Sequence, residues 1–469
     1  MSDASSRRYA WYVVGVLTLA NVSGFIDRQI LSLLVPSIKR DLGITDTQMS
    51  YLIGLSFSIF YTVLGLPIAR WADRGNRRNI MAGGVAIWSV MTMLCGVART
   101  YSRLLLTRIG VGVGEATLAA PSVSLIADYF PRERLGTAMS VYSLGIFLGS
   151  GLAYFIGGWI VGLVSATEGW RWPIVGAIRP WQSVFFFVGA PGLLIALLML
   201  TIREPRVEAR RDGHAFDIRA VPLSAFMAYV RANARTFSTH SIGFALSGTV
   251  NFGIAAWLAT FLVRTYGWTA ARAGMVQGLL TMSVGVVGVL AGGRVADRFV
   301  RRGHVDGALR VGMIGAVGML VSATAYPLMP TATLAVTWLV AVNFFAAFPW
   351  GAASAAAAEI VPAPLRAQGA ALYFLVLSLV SGTLGPTSVA VVTDYVFRDE
   401  HALRYALVVV NVLGMSGALA LFAFGLPAYR RTLENRERWS NVHDTKPAND
   451  ARVAHRRWPC SIKRRKPAR

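Results

Sequence analysis

Four ionisable residues stand inside otherwise apolar stretches of the chain. Asp27 and Arg28 are adjacent in the segment FIDRQ, whereas Arg108 and Glu115 frame the glycine-rich segment RIGVGVGE. A charged side chain within a bilayer is costly, so such residues usually carry a function. Arginine does not deprotonate and can hold a carboxylate ionised, and a carboxylate that loses this partner in a low dielectric takes up a proton. The pattern therefore indicates reversible protonation and no covalent catalysis.

Glu115 is the strongest candidate for the proton-carrying residue, and Arg28 is its predicted partner. Asp27 is either a second proton site or the group that neutralises Arg28. Arg108 either donates hydrogen bonds to backbone carbonyls of the first helix or shuttles protons. The alternative for the whole set is a static network of charges that joins two helices without switching.

The glycines that precede Glu115 raise the question of a phosphate-binding loop. Gly110, Gly112 and Gly114 are followed by no Gly-Lys-Ser/Thr, and the carboxylate of Glu115 would repel a phosphate. Closely spaced glycines also let membrane helices approach one another. The segment therefore predicts a helix-packing surface.

Membrane helices are the elements that must position these residues. Of the 469 residues, 55% are hydrophobic and 15% are charged, and the mean hydropathy is +0.52. Apolar spans of roughly 20 residues, long enough to cross a bilayer as a helix, recur twelve times along the chain. The sequence predicts an all-α membrane protein of twelve transmembrane helices. It contains no pattern for a metal site, an ATP site or another cofactor, so an enzyme is not expected.

The charge distribution predicts the orientation in the membrane. The net charge is +23, and most of the 46 Lys and Arg residues fall on the side of the two termini. Because positive residues favour the cytoplasmic side, both termini are expected there, in a multi-pass protein of the cell (inner) membrane. The basic segment 429–469 predicts a disordered tail that is attracted to anionic membrane lipid and does not bind nucleic acid.

An internal repeat divides the chain into two halves. ARWADRGNRR at 69–78 resembles GRVADRFVRR at 293–302, and each segment follows the second span of its half. We expect a first six-helix bundle at 1–202, a cytoplasmic loop at 203–235 and a second bundle at 236–428. The end of the loop is predicted either as an amphipathic surface helix or as a plain linker. A monomer is expected, with a binding site between the halves.

The repeated segment also resembles a motif of the major facilitator superfamily. That motif carries Ala-Asp-Arg in the loop between helices two and three, and its aspartate closes the cytoplasmic side by docking on the other half. The resemblance implies a cytoplasmic gate at Asp73, Arg74, Arg77, Arg78, Asp297, Arg298, Arg301 and Arg302. Ala69 and Asn76 replace the two glycines of the motif. The superfamily pattern Arg-x-x-x-Gly-x-Gly is matched by Arg108, Gly112 and Gly114.

The segment GEATLAAPSVSLIADYFPRERLGTAMSVYSLGIFLGSGL and the FIDRQ segment resemble the spinster-like branch of that superfamily. The branch is associated with proton-dependent export of lysolipids and sphingoid phosphates. The resemblance thus implies alternating-access transport of an amphipathic or lipid-like anion, driven by a proton gradient and without a cofactor. Two alternatives stay open, a proton symporter of small carboxylates and a ligand sensor that does not transport.

In the superfamily, helices one, four, seven and ten line a central cavity. Polar and aromatic residues on or near these helices are the candidates for contact with a substrate: Asn251, Asn343, Tyr61, Tyr142, Trp350 and Tyr373. This mostly aromatic wall would suit an amphipathic substrate better than a sugar. His240, near one end of its span, is interpreted as a residue at the membrane boundary.

Overall fold

Twelve helical spans, each long and apolar enough to cross a membrane, form the protein in the computed structural model. The structure describes residues 3–130, 132–166, 170–172, 176–205, 222–362 and 365–444. Apart from one short hairpin, the regular elements of this part of the chain are helices. The protein is therefore a multi-pass membrane protein, as the composition predicts.

The first half contains spans one to six. Their helices are Asp3–Leu42, Asp46–Ser50 joined through a π-helix at Tyr51–Leu55 to Ser56–Arg74, Arg77–Cys95, Tyr101–Glu115 followed by Ala119–Tyr129, Arg132–Ser165, and Pro180–Leu200. A two-stranded hairpin, Trp170–Trp172 paired with Gly176–Ile178, stands between spans five and six.

The second half contains spans seven to twelve and is preceded by a short helix at Leu223–Ala232. Its helices are Ala234–Tyr266, Ala270–Leu280 joined through a π-helix at Thr281–Gly285 to Val286–Arg301, Gly307–Leu328, Ala332–Ala347 followed by Trp350–Glu359, Arg366–Val391 continued by a π-helix at Val392–Phe397, and Leu403–Asp444 after a 3-10 turn at Glu400–Ala402.

Corresponding spans of the two halves are interrupted in the same way. Span four breaks into a turn directly after Glu115, and span ten breaks at Phe348 and Pro349. Pro121 and Pro349 explain these breaks in part, because a proline nitrogen cannot donate to the carbonyl four residues earlier. Interrupted helices in transporter folds commonly mark a binding site near the middle of the membrane.

The glycines of span four form a packing surface, as predicted. A Cβ atom on Gly114 would lie 2.8 Å from the carbonyl oxygen of Gly84 in span three. A Cβ on Gly112 would lie 3.0 Å from the carbonyl oxygen of Phe57 in span two. Only glycine allows spans two, three and four to approach so closely, and this packing fixes the position of Glu115 at the end of the helix.

Among the described residues, the hydrophobic packing between the two halves is concentrated at one face of the molecule. We call the face at which span one begins and span twelve ends the termini face, and the other the opposite face. One hydrophobic cluster near the opposite face combines both halves, with Ile30 and Met49 from the first half and Trp257 and Leu403 from the second. Two further clusters, toward the termini face, each stay within one half. The protein is therefore closed at the opposite face.

Small residues bring the halves into backbone contact in the closed region. A Cβ on Gly54 would lie 2.5 Å from the carbonyl oxygen of Gly382, and one on Gly278 would lie 2.6 Å from that of Gly151. These contacts join span two to span eleven and span five to span eight. They form the seam about which the halves would have to rotate.

The structure corrects two boundaries of the sequence-based division. The last helix continues to Asp444, so the prediction of a disordered tail from residue 429 is wrong for 429–444, and Tyr429 is fully buried. The end of the 203–235 interval is a helix at Leu223–Ala232, whose Tyr229 hydroxyl donates to the carbonyl oxygen of Ile360 at 2.8 Å. This segment is thus docked on the second half. Residues 206–221 and 445–469 lie outside the described part.

Candidate functional site

Arg28 of span one and Glu115 of span four form an ion pair inside the first half. Arg28 Nε and Nη2 lie 2.6 Å and 2.5 Å from Glu115 Oε2. The glutamate side chain is 2% exposed, whereas the arginine side chain is 31% exposed. The predicted partnership is thus present, and its cationic member is the one that an approaching ligand can reach.

Aromatic rings surround the exposed side of Arg28. The guanidinium carbon lies 4.5 Å from the ring centre of Phe57, 5.0 Å from that of Tyr61 and 5.4 Å from that of Phe25. Phe57 and Tyr61 stack on each other with centres 5.3 Å apart. Cation–π attraction therefore orients the arginine. A ligand at this site would meet one positive charge within an apolar wall.

A second ion pair lies beside the first and is fully enclosed. Arg108 Nη1 lies 3.4 Å from Asp27 Oδ1, with side chains 0% and 3% exposed, and the Thr92 hydroxyl donates to Asp27 Oδ2. Asp27 thus pairs with Arg108, so it does not serve mainly to neutralise Arg28. Arg108 contacts span one through the side chain of Asp27. Its described hydrogen bonds include none to a backbone carbonyl of span one.

Most of the predicted cavity residues from the second half lie on spans seven and ten. Asn343 is 9% exposed, accepts from the Thr281 hydroxyl at 3.2 Å and donates to the carbonyl oxygen of Leu339 at 2.9 Å. Asn251 is half-buried, and its Oδ1 has no hydrogen-bond partner among the described residues. Trp350 is half-buried where span ten resumes.

Two of the predicted aromatic cavity residues are placed in hydrophobic cores. Tyr142 is 7% exposed and belongs to the hydrophobic cluster of the first half that lies toward the termini face. Tyr373 is 5% exposed and packs against the ring of His240, with centres 5.3 Å apart. The prediction that Tyr373 lines the cavity is wrong, because its ring points into the core of the second half.

His240 is also a core residue, although it lies near the start of span seven. It is fully buried, and rings of Phe244, Tyr373 and Tyr429 surround it at 5.0 to 6.5 Å. Neither ring nitrogen has a hydrogen-bond partner in the described part of the chain. This burial does not follow from the sequence, because an apolar helix reveals which residues are polar but not toward which neighbour they turn.

The residues of the predicted gate do not come together in this conformation. Asp297, Arg298, Arg301 and Arg302 are all exposed, and no ion pair involving Asp297 is described. The side chains of Asp73 and Arg74 lie outside the described residues. The expected contact between the halves is thus not made by the second copy of the motif. This agrees with the separation of the hydrophobic clusters at the termini face.

Arg77 and Arg78 bind within their own half. Arg77 is fully buried and pairs with Glu204, and its Nη2 lies 2.6 Å from Asp128 Oδ2. Arg78 donates to the carbonyl oxygen of Ile202 at 3.2 Å. These arginines join the start of span three to the ends of spans four and six. Arg77 therefore stabilises the first bundle in this state and does not bridge the two halves.

A charge network that the sequence analysis missed closes the opposite face. Asp46 is fully buried and binds Lys39 Nζ at 2.5 Å and Arg264 Nη1 at 2.7 Å. Glu400 completes the network, 2.7 Å from Lys39 and 3.1 Å from Arg264. Lys39 and Asp46 belong to the first half, and Arg264 and Glu400 to the second. All four stand at the ends of spans, where charged residues are common, so no feature of the sequence distinguishes them.

One further polar contact joins the halves beside this network. The backbone nitrogen and the hydroxyl of Thr47 both donate to Asp394 Oδ2 at 2.7 Å. Among the described residues, no group of three or more His, Cys, Asp or Glu side chains could hold a metal ion. The ion pairs of the described residues thus lie inside each half and across the opposite face.

Comparisons with known proteins agree with this architecture. The chain is 29% identical over 443 residues to an MFS-type efflux pump of Mycolicibacterium smegmatis, with 92% of this chain and 96% of that one covered. It is 27% identical to protein spinster homolog 1 of Bos taurus, with 96% and 88% covered. The match extends over both halves in each case.

A solved structure of a related protein has the same fold. A bacterial homolog of the human lysosomal transporter Spinster, in an inward-facing and unoccupied conformation, superposes with a TM-score of 0.71 at 28% identity, covering 92% of this chain and 98% of that one. The family model of the Major Facilitator Superfamily matches residues 17–386. The chain belongs to the Major Facilitator Superfamily and is a transporter of its spinster-like branch.

Proposed function

We propose that this protein is a proton-coupled secondary transporter of an amphipathic organic anion. The observation that carries the proposal is the Arg28–Glu115 pair, in which a part-exposed cation is bound to a buried carboxylate. An anionic ligand and Glu115 would compete for the same guanidinium. That competition is the link between substrate binding and proton binding.

The exchange follows from the desolvation of charge. When a substrate anion binds Arg28, Glu115 loses its counter-ion while it stays 2% exposed. An unpaired carboxylate in a buried site is costly, so it takes a proton and becomes neutral. Oε1 of Glu115 accepts no hydrogen bond among the described residues and offers the position for that proton. Release of the anion restores the ion pair and expels the proton.

The second pair has a supporting role in this proposal. Asp27 and Arg108 neutralise each other inside the protein, and Thr92 holds the aspartate. Because Asp27 is the residue before Arg28, the pair fixes the segment of span one that presents Arg28. An alternative role for Asp27 as a second proton site stays a prediction.

In alternating access, the opposite face would open and the termini face would close. We propose that the termini face is cytoplasmic and that the structure represents the cytoplasm-open state. The network of Lys39, Asp46, Arg264 and Glu400 would open in the other state, and the repeated aspartate motif would then close the termini face. The inward-facing relative supports this assignment.

The aromatic surroundings of Arg28 favour an amphipathic anion over a small carboxylate. The apolar surface beside Arg28 is formed by the rings of Phe57, Tyr61 and Phe25. This surface would contact an alkyl chain attached to the charged group, whereas a short, fully hydrated anion has no apolar part to place there. A symporter of small carboxylates is the second candidate, and a sensor that binds without transport is the third.

Octyl phosphate is a suitable probe, since it is an amphipathic anion that crosses membranes slowly. Wild-type protein in liposomes containing a pH-sensitive dye is expected to give proton flux when octyl phosphate is added. Glu115→Gln should reduce this flux to background and still bind the probe, measured as thermal stabilisation in detergent. Arg28→Ala should lose the stabilisation.

Glu359→Gln is the matched control, because Glu359 is exposed at the end of the equivalent span ten. It should retain both flux and binding. Coupled flux in Glu115→Gln at the wild-type rate would overturn the role of Glu115. Binding without flux in the wild type would identify a sensor, and a response to acetate equal to that to octyl phosphate would favour the small-carboxylate alternative.

A further inference from the structure

Span eight carries a row of exposed residues that runs to its end at the termini face. Val287, Leu290, Arg294, Arg298 and Arg301 are all exposed and follow one another at intervals of three or four residues. Residues at these intervals lie on one face of an α-helix. We call these five residues the span-eight stripe. Its first two members are apolar, and its last three are cationic.

The other side of this helix is packed on span ten. A Cβ atom on Gly288 would clash with the carbonyl oxygen of Phe344, and one on Gly292 with that of Phe348. Two residues correspond to about 200° around an α-helix, so the members of the stripe that follow these glycines by two positions point away from span ten. The stripe is thus the uncovered side of the helix.

The arginines of the stripe have no acid to balance them. The segment 286–305 contains four arginines and one aspartate, Asp297, and none of these five side chains forms an ion pair among the described residues. The next acid along the chain, Asp306, is buried and bound to Arg310 and Arg430. The stripe therefore presents a net positive charge to its surroundings.

The first copy of the internal repeat differs in this respect. Arg77, which aligns with Arg301, is fully buried and binds Glu204 and Asp128 of its own half. Arg301 is exposed instead. The counter-charge that the first half supplies from its own chain must come from outside the chain in the second half.

The position of the stripe on a membrane span indicates what supplies this charge. Val287 and Leu290 are 57% and 52% exposed and lie nearer the middle of the membrane. Arg294 follows about one turn later, and Arg301 ends the helix about 10 Å further on. Guanidinium groups bind phosphate through charge-assisted hydrogen bonds. A molecule with an alkyl chain and a phosphate group matches this order of apolar and cationic residues.

We propose that the span-eight stripe binds an anionic phospholipid from the leaflet at the termini face. The phosphate of the headgroup accepts hydrogen bonds from Arg294, Arg298 and Arg301, and one acyl chain lies along Val287 and Leu290. The lipid supplies to the second half the counter-charge that the chain itself supplies to the first. The site is separate from the proposed transport site, and the bound lipid is a stabilising partner and not cargo.

The helix dipole accounts for only two of the three arginines. Basic residues in the last turn of a helix interact favourably with its dipole, which applies to Arg298 and Arg301. Arg294 lies before the last turn, and its described hydrogen bond, to the carbonyl oxygen of Leu290, is long at 3.4 Å. A long arginine side chain on the lipid side of a span extends toward the headgroups, where phosphate is the available anion.

Lipid binding to the full-length protein in detergent tests this site. Dioleoyl phosphatidylglycerol and dioleoyl phosphatidylcholine have the same acyl chains and differ in net charge, so their affinities are compared by thermal stabilisation over a range of concentrations. The wild type should bind phosphatidylglycerol at least about tenfold more tightly. The triple variant Arg294→Gln/Arg298→Gln/Arg301→Gln should lower this ratio of affinities roughly tenfold or more, and Arg298→Gln alone roughly fivefold.

The matched control is Arg8→Gln/Arg70→Gln/Arg231→Gln. It removes the same charge from exposed arginines on three different helices near the termini face. Because the net charge of the chain is +23, phosphatidylglycerol also binds elsewhere on the protein, and the control measures that attraction. Its ratio of affinities should stay within about twofold of the wild type. A loss as large as that of the stripe variant would show general charge attraction and overturn the site.

Three further outcomes would also overturn the inference. One is equal affinity of the wild type for the two lipids. Another is equal stabilisation by inorganic phosphate, which would identify a site for the free anion and not for a lipid. The third is a preference that Arg28→Ala abolishes and the stripe variant retains, which would place the lipid in the central site and leave the proposed function standing. Conversely, a wild type without proton flux in response to octyl phosphate would contradict the proposed function but not the lipid site.

Discussion

The two faces of the protein use their charges differently. At the opposite face, Asp46 and Lys39 of the first half bind Arg264 and Glu400 of the second, so the ion pairs cross the seam. At the termini face, the described ion pairs stay within one half. The difference shows that the interactions that hold the halves together are concentrated at one face in this state.

The termini face has one charge cluster in each half. In the first, Arg77 binds Glu204 and Asp128. In the second, Asp306 is fully buried and binds Arg430 at 2.6 Å and Arg310 at 3.0 Å. Each cluster stabilises the bundle of its own half and does not join the two halves. Changes at the two faces should therefore have different effects, on stability at one and on conformation at the other.

The largest effect is expected for Arg77→Met. The substitution removes a fully buried cation and leaves Glu204 buried without its main partner. Breaking a buried ion pair by removing one member costs about 3–5 kcal/mol. We expect a clear loss of thermal stability in detergent, with unchanged accessibility of the two faces to a cysteine reagent.

The control for this prediction is Arg70→Met, because Arg70 is an exposed arginine on span two. It should change the melting temperature little. Equal stability of the two variants would show that the Arg77 cluster contributes nothing to the first half. A change in face accessibility with Arg77→Met would mean that the cluster also bridges the halves.

The next effect concerns Asp46→Asn at the opposite face. An uncharged side chain would leave Lys39 and Arg264 close together with only the part-exposed Glu400 to balance them. We expect the opposite face to open more often, with a shift of about 2 kcal/mol, or roughly 30-fold in the ratio of the two states. Labelling of Ser50→Cys, in protein that lacks Cys460, measures this opening because Ser50 is fully buried at the seam.

Asp41→Asn provides the matched control. Asp41 is an acid at the same face, but it binds Arg179 at 3.1 Å and Trp181, both within its own half. It should leave the labelling rate unchanged. If Asp41→Asn accelerated labelling as much as Asp46→Asn, the opening would reflect general loss of charge and not the ion pairs across the seam.

The comparison also shows which parts of the site could be predicted from the sequence. Arg28 and Glu115 were found because a charge inside an apolar span has few possible partners, and the Asp-Arg segment supplied one. Asp46 and Arg264 were not found, because charged residues are common at the ends of spans. Their pairing depends on how the two halves contact each other. That contact is a property of the conformation, which no local pattern encodes.

The same reasoning explains the errors and omissions within the spans. Tyr373 lies on span eleven, next to the helices that line the cavity in the superfamily, but its ring turns toward His240 in the core. The number of helices and the repeat follow from hydropathy and motif spacing, whereas the rotation of each helix about its axis depends on packing.

A smaller effect is expected for Asp306→Asn. Burial acts to raise the pKa of Asp306, but hydrogen bonds from Arg430 and Arg310 outweigh it and hold the pKa below its usual 3.8. With a lowered pKa in the folded state, the stabilisation is fully present above the ordinary pKa, begins to fall as the pH drops below 3.8, and is lost as the pH falls through the folded-state value. Since Arg430 is 46% exposed, the contribution is about 1 kcal/mol or less.

Melting temperatures at two pH values measure this contribution. The variant should melt below the wild type at pH 7. The difference should shrink toward pH 3, because below the ordinary pKa of 3.8 the unfolded wild type takes up a proton before the folded protein does. Accessibility of both faces should be unchanged, because the cluster lies within the second half. A difference that is constant from pH 7 to pH 3 would assign the effect of the substitution to packing and not to charge.

The smallest effect on the state described by this structure is expected for Asp297→Asn. Asp297 is exposed, and no ion pair of its carboxylate is described in this conformation, so its loss should change stability by no more than about 0.5 kcal/mol. In the proposed cycle, however, the aspartate acts only when the termini face closes. The variant should therefore show wild-type melting and wild-type accessibility but slower octyl phosphate-driven proton flux. Flux at the wild-type rate would show that closure of the termini face does not use this aspartate, and a lowered melting temperature would mean that Asp297 already holds a contact in the open state.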